Sequence, residues 1–339
     1  MKSLFYIVLF VGFLLGVSCT GKYSSTVPDP QPSVYYWRTV FQLGHEEMQF
    51  LKKHKIKKIY ARYFDVKLSE KGKPVPVASM QWEQPVPQDI EMIPTVFVDW
   101  RALIDPNELA SLIVRRVVQM SRTNDVPIRE LQLDCDWTVS SRKIYYDFLK
   151  AVRRSLDSCG TFRLSATIRL HQFRQPPPPV DYGVLMCYNT GDLRDIHTRN
   201  AILDEQDVLP YLKELANYDL PLSAAYPLFG WKLLFEQHRM VAILPNADLS
   251  DTLLYRREAR SQYRVIRSHT LSGALGRAVS VRTGALIKID EVSFETIMRV
   301  KKYLENERPG LGGQIVLYSL NTNDINKYSY DEVEKIYSR

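Results

Sequence analysis

The segment LQLDCDWTVSSR, residues 131–142, carries two aspartates two positions apart at the end of an apolar run. Alternate side chains of a strand point to the same face, so Asp134 and Asp136 share one face and Cys135 takes the other. Such carboxylates could act as acid and as base or nucleophile on a glycosidic bond together with a third carboxyl, for which Asp65 and Asp99 are the candidates. An aspartate at a strand end can also simply cap the next helix, and this alternative stays open for Asp136.

Further polar and aromatic residues follow other apolar runs. Acids, amides and aromatic rings together suit a sugar, because aromatic faces stack on pyranose rings while carboxylates and amides bind hydroxyl groups. The expected carbohydrate-binding residues are Trp37, Arg38, Asp99, Trp100, Arg169, His171, Tyr188, Asn189, Tyr226, Trp231 and Tyr318. Trp37 and Trp231 could instead belong to the core. His171 could be structural, and Arg169 could neutralise a neighbouring acid.

Strand-like and helical segments alternate from residue 34 onward. Helix signals include Asp105 as a cap before Pro106, and Ser329 with Glu332 as a capping box. The predicted strands lie at about 34–41, 57–66, 92–98, 129–135, 162–170, 182–188, 221–228 and 313–320. Repeated βα units imply a parallel sheet, and eight of them predict an α/β fold of the (β/α)8 TIM-barrel type. A doubly wound sheet is the alternative, but no glycine-rich turn follows the first strand.

Residues 236–290 break this alternation with several short strand-like runs. They predict a small insertion between strand 7 and strand 8, followed by a helix at 294–307. In TIM barrels the active site lies at the carboxyl ends of the strands. The candidate residues follow the predicted strands, so we expect them to converge on one mouth.

The N-terminal residues predict a location outside the cytoplasm. Lys2, the apolar run that follows it and small residues before Cys19 are typical of a signal peptide over 1–18. Cys19 resembles a lipobox cysteine, and 19–33 would be a lipidated Ser/Pro-rich tether before a barrel at 34–339. We expect a lipid anchor in the outer membrane or cell envelope. Ordinary secretion, with Cys19 incidental, is the alternative.

Composition excludes some classes of protein. The chain has 339 residues, of which 45% are apolar and 24% charged, which is enough for a large core. The net charge is +7 with the basic residues spread along the chain, so no nucleic-acid partner is expected. No zinc-type Cys/His spacing is present, and neither a metal nor a cofactor is expected. Cys135 and Cys187 fall inside apolar runs and should be buried thiols.

Three motifs resemble those of family 18 glycoside hydrolases, the chitinase-like barrels. LDCDW at 133–137 is similar to their fourth-strand aspartate motif, MCYN at 186–189 to their sixth-strand segment, and LGGQIVLYSLNTND at 311–324 to their eighth-strand segment. The chain also resembles secreted or lipidated barrel proteins of Bacteroides-type bacteria. The resemblance implies a glycoside-hydrolase-like barrel that acts on a glycan outside the cytoplasm.

The sequence departs from that family at its reactive positions. The family's catalytic glutamate corresponds to Thr138, its sixth-strand aspartate to Asn189 and its eighth-strand tryptophan to Tyr318. Threonine cannot protonate a glycosidic oxygen near neutral pH, so the family mechanism would lose its acid. Three functions therefore stay open: a hydrolase that uses other carboxylates, a non-catalytic glycan-binding barrel, and a structural or interaction lipoprotein.

Overall fold

In a computed structural model of the chain, eight parallel strands close into a barrel. The structure describes residues 31–338 apart from 161 and 275, so the predicted signal peptide and Cys19 lie outside the described residues. The barrel strands are β1 (Ser33–Tyr36), β2 (Lys58–Leu68), β3 (Glu91–Val98), β4 (Glu130–Asp134), β5 (Arg163–Ile168), β6 (Tyr182–Met186), β7 (Leu222–Pro227) and β8 (Ile315–Tyr318). Each strand pairs with the next, and β8 pairs with β1, which confirms the predicted TIM barrel.

Helices and helical turns surround the barrel. They are α1 (His45–Lys53), α2 (Pro106–Thr123), α3 (Arg142–Asp157), α4 (Glu205–Val208), α5 (Leu212–Ala216), α6 (Phe294–Glu307), α7 (Thr322–Ile325) and α8 (Tyr330–Tyr337), with 3-10 turns at Trp100–Ala102, Leu170–Arg174, Leu209–Tyr211 and Leu311–Gly313. Asp105 caps α2 through two backbone N–H groups, and Ser329 caps α8, both as predicted. A 3-10 turn separates α4 from α5, because Pro210 in that turn has no N–H to donate. No helix among the described residues is long and apolar enough to span a membrane.

The predicted insertion is present between β7 and β8, and its first strand begins at Gly230, earlier than expected. Its antiparallel sheet has the strand order Arg239–Ile243, Gly230–Glu236, Leu286–Glu291, Gln262–Val265 and Tyr255–Ala259. A hairpin of His269–Ser272 and Ala278–Val281 accompanies this sheet. A separate apolar core, which includes Leu234, Tyr255 and Ile287, holds the insertion together.

Two short strands, Pro74–Val77 and Gln81–Trp82, were not predicted, because two to four residues are too few to show a period of two. The predicted strand at 34–41 is divided in the structure into β1 and a separate strand, Val40–Phe41. Pro74–Val77 pairs with the end of β2, and Val40–Phe41 pairs with Gln81–Trp82.

Hydrogen-bonded polar side chains fill the barrel below its mouth. Tyr35 donates to Gln132, while Tyr182 and Ser165 both donate to the carboxylate of Glu130. Burial raises the pKa of Glu130, although these two donors oppose the shift. The interior is therefore a packed layer that forms a floor under the mouth.

Candidate functional site

A β-bulge in β2 directs Asp65 into the barrel mouth. The register against β3 shifts between Arg62 and Phe64, which leaves Tyr63 as an extra residue. Tyr63 reaches outward and its hydroxyl lies 3.0 Å from the Ser121 hydroxyl of α2. Asp65 then lies on the same side as Arg62, whose Nε donates to its Oδ1 over 2.6 Å and whose terminal nitrogen donates to Oδ2.

Asp134 ends β4 and Asp136 follows it by two residues, and both are close enough to Arg169 for their charges to act on it. Thr167 donates to Asp134 Oδ1 over 2.6 Å, and Arg169 Nε donates to Asp136 Oδ1 over 2.7 Å. Burial raises the pKa of Asp134, although the charge of Arg169 opposes the shift. Burial also acts to lower the pKa of Arg169, but the charges of Asp134 and Asp136 outweigh it and raise that pKa. Arg169 therefore neutralises neighbouring acids, which is the alternative role that the sequence analysis gave it.

Aromatic rings surround Tyr318 at the end of β8. Its ring centre lies 5.8 Å from that of Trp37, 4.8 Å from Tyr188 and 5.5 Å from Phe229. Trp231 extends this cluster through Phe229, at 5.2 Å between ring centres. The buried Tyr188 hydroxyl has no hydrogen-bond partner among the described residues, and Tyr188 lines one of the two cavities described next.

Two cavities meet at Asn189, directly after β6. One, of about 380 Å³, is lined by Asp136, Thr138, Arg169, Leu170, His171, Met186, Tyr188, Asn189, Thr190 and Tyr211. The other, of about 600 Å³, lies between the mouth and the insertion and is lined by Asn189, Phe229, Gly230, Trp231, Lys232, Ile243, Pro245, Ala274, Glu291, Tyr318, Asn321, Asn323, Asp324 and Lys327. Asn189 has a φ of 56°, a left-handed conformation that asparagine tolerates better than most residues. The two cavities form a polar and aromatic groove across the mouth.

Three expected sugar contacts have other surroundings in the structure. Arg38 donates to Glu47 of α1 over 2.7 Å, outside both cavities. Asp99 accepts hydrogen bonds from the backbone and side chain of Arg101 and caps the turn Trp100–Ala102. Trp100 is 42% exposed within that turn and lines neither cavity. Asp99 therefore caps a helical turn, which is the alternative role that the sequence analysis gave for an aspartate at a strand end.

Tyr226 also lies away from the mouth, because strand alternation sends its side chain outward. Its neighbours across β8 follow the same alternation, with Ala225 beside Val316 and Tyr226 beside Leu317. Burial raises the pKa of Tyr226, and the charges of Cys187 and of Glu305 on α6 add to the shift. Tyr226, which the sequence analysis expected to contact a sugar, therefore lies in the layer between the barrel and its helices.

The sequence analysis missed several residues of the mouth, among them Arg62, Thr167 and Phe229. Thr167 is two residues before Arg169 on β5, so strand alternation could have identified it as the partner of Asp134. Phe229 follows β7 beyond Pro227, where no strand period applies. Cys135 and Cys187 are buried free thiols, as predicted. Among the described residues, no cluster of His, Cys, Asp and Glu is arranged to hold a metal ion.

Comparisons with known proteins show the fold. No protein-family model matches the chain, and no curated protein sequence matches it. The chain is similar in structure to the Bacillus cereus spore cortex-lytic enzyme SleL, with a TM-score of 0.51 and 14% identity over 91% of this chain and 73% of that one. It is also similar to the GH18 chitinase of Cycas revoluta in complex with (GlcNAc)3, with a TM-score of 0.50 and 11% identity over 91% of this chain and 100% of that one. A chitinase from Trichuris suis gives a TM-score of 0.50 and 11% identity over 91% of this chain and 98% of that one.

Proposed function

From the chitinase-like barrel fold, we propose that this chain binds a glycan in the groove at its barrel mouth without hydrolysing it. The observation that carries the proposal is the state of the three carboxylates that the sequence analysis singled out as catalytic candidates. Asp65 is bound to Arg62, Asp134 to Thr167 and Asp136 to Arg169. None of the three is poised on the groove as an unengaged acid.

Thr138 occupies the position of the family's catalytic acid. Its hydroxyl lies 2.9 Å from the Ser140 hydroxyl, and its backbone N–H is bonded to Ser141. A hydroxyl at this position lines the groove and can hydrogen-bond a sugar, but it cannot protonate a leaving group near neutral pH. Binding therefore needs no change at Thr138, whereas the family's hydrolysis needs a carboxyl there.

The groove is suited to sugars. Trp231, Phe229 and Tyr318 provide aromatic faces, and Asn189, Asn321 and Asn323 provide amide groups. The free Tyr188 hydroxyl would gain a hydrogen bond from a bound hydroxyl group. The volume of about 600 Å³ lies within the range of small-ligand sites, about 300–1,000 Å³.

A matched pair of variants tests this proposal. Tyr188→Phe and Tyr226→Phe each remove one buried tyrosine hydroxyl, the first at the groove and the second facing the helices. The binding of wild type and variants would be measured on an array of immobilised oligosaccharides that includes chitin and peptidoglycan fragments. We expect Tyr188→Phe to weaken the strongest binding about fivefold to tenfold, the cost of one hydrogen bond, and Tyr226→Phe to leave it unchanged. Equal effects of the two variants, or no binding by wild type, would refute the proposal.

One observation favours hydrolysis as a second candidate. Asp134, whose pKa is raised by burial, is adjacent to the more exposed Asp136, and paired-acid hydrolases combine a protonated and an ionised carboxyl. Against this, Asp134 is only 3% exposed and already accepts a hydrogen bond from Thr167. Release of reducing ends from a bound glycan, lost in Asp136→Asn, would favour the hydrolase.

We also propose that the protein is a lipid-anchored envelope protein of the Bacteroides type. The support is the sequence alone: Lys2, the apolar run after it, and Cys19 ahead of a Ser/Pro-rich tether. Metabolic labelling with palmitate during expression of the full chain tests this, and Cys19→Ala should abolish the label. Equal labelling of the two chains would exclude Cys19 as the lipidated residue.

A further inference from the structure

One end of the insertion has a high net positive charge. Residues 255–282 contain seven arginines against one glutamate, so this segment has a net charge of +6 while the whole chain has +7. The basic residues are Arg256, Arg257, Arg260, Arg264, Arg267, Arg277 and Arg282, and the acid is Glu258. We call this segment the arginine-rich end; it comprises the last two strands of the insertion sheet and the accompanying hairpin.

Much of this charge has no partner within the protein. Glu258 binds Arg264 and Arg256, and Glu236 binds Arg282. The side chains of Arg260, Arg267 and Arg277 are exposed, and each makes no hydrogen bond or ion pair with any described residue. Arg257 donates only to two backbone carbonyls. Unpaired like charges within one short segment repel each other, and a bound polyanion would relieve that repulsion.

The register of the insertion sheet connects this end to the mouth. Arg256 lies opposite Arg264, which lies opposite Leu286, which in turn lies opposite Phe235. Cross-strand partners and alternate residues share a face, so Arg256 and Arg264 lie on the same face as Trp231, which lines the groove. The strand of Arg256 is three strand spacings from that of Trp231, or about 14 Å. Phe235 is four residues, about 13 Å, along its strand from Trp231, so Arg256 and Arg264 lie roughly 20 Å from the groove. Leu233 and Phe235 on the intervening face are buried against Ile196, so a linear polymer that lies in the groove would have to pass over this covered part to reach the arginine-rich end.

We propose that the arginine-rich end binds an acidic glycan, a polysaccharide with carboxylate or sulfate groups, as an extension of the groove. Every cation of the segment is arginine, whose planar guanidinium matches carboxylate and sulfate in a bidentate geometry. The choice of a glycan over other polyanions rests on the proposed function of the mouth. The sugar rings at one end of the polysaccharide would contact the groove, and the anionic groups at its other end would contact the arginines.

The test measures binding of oligogalacturonate to the full chain at low and at physiological salt. The Arg260→Ser, Arg267→Ser, Arg277→Ser triple variant removes three unpartnered charges from the segment. The matched control is Lys52→Ser, Lys53→Ser, Lys55→Ser, which removes three exposed charges that also lack partners among the described residues, at the end of α1. We expect about tenfold weaker binding for the arginine variant and less than a twofold change for the lysine variant.

Three outcomes would overturn the proposal: no binding of oligogalacturonate by wild type at low salt, equal effects of the two triple variants, and equally tight binding of duplex DNA or phosphatidylglycerol vesicles. The last outcome would assign the surface to another polyanion. Failure here is distinguishable from failure of the proposed function, because a neutral oligosaccharide that loses affinity in Tyr188→Phe would still establish the groove.

Discussion

Asp65→Asn breaks the ion pair with Arg62 inside the barrel mouth. The Asp65 side chain is 4% exposed and that of Arg62 is 20% exposed. Removal of one partner from a buried pair costs about 3–5 kcal/mol because the other charge is left unpaired. Water reaches part of Arg62 and screens it, so we expect about 2–3 kcal/mol of lost stability. With an unfolding entropy of about 2 cal/mol/K per residue over roughly 300 residues, the melting temperature should fall by about 3–5 °C.

Differential scanning calorimetry of the wild type and Asp65→Asn at neutral pH measures this effect. The control is Asp147→Asn, which breaks the solvent-exposed Lys143–Asp147 pair of α3 and should leave the melting temperature unchanged. A melting temperature of Asp65→Asn equal to that of wild type would refute the bracing role of Asp65. The carboxyl would then return to the candidates for catalysis.

Three further predictions concern the barrel and its helices. Burial raises the pKa of Glu130, so the free energy of unfolding of the wild type should fall as pH rises from the unfolded pKa of about 4.3 through the higher folded pKa. Urea titrations at a series of pH values should show a shallower pH dependence for Glu130→Gln. An unchanged pH dependence would contradict the role given to Glu130. Gly183→Ala places a Cβ 2.6 Å from Ile168 Cγ1 and 2.9 Å from Leu222 Cδ2, so it should cost about 1–3 kcal/mol in the same titrations; a neutral result would mean that the barrel wall relaxes. Asp105→Ala removes the cap of α2 and should cost about 1 kcal/mol, whereas Asp105→Asn should keep most of it.

The barrel could be predicted because its signals are local. The strands are short apolar runs, several of them with a marked helix start after them, as at Asp105, and alternation of such units implies a parallel sheet. The shared face of Asp134 and Asp136 follows from the same period of two. The strand order of the insertion could not be predicted, because its antiparallel pairings join segments as distant as Gly230–Glu236 and Leu286–Glu291.

The positions of individual site residues were harder to predict. Asp65 faces the mouth only because a bulge at Tyr63 interrupts the strand period, and no sequence signal marked that bulge. For Tyr226 the strand period is not interrupted, and alternation along β7 would have given the correct direction, away from the mouth. Arg38 and Asp99 follow their strands, where backbone geometry changes and the period no longer decides direction.

A reducing-end assay tests the central claim most directly. Wild type and Asp136→Asn would be incubated with the oligosaccharide that binds most tightly on the array, and released reducing ends would be followed over time. The account predicts no release above the rate without protein for either chain, with binding by the wild type intact. Release by the wild type that disappears in Asp136→Asn would contradict it and identify the end of β4 as a catalytic centre.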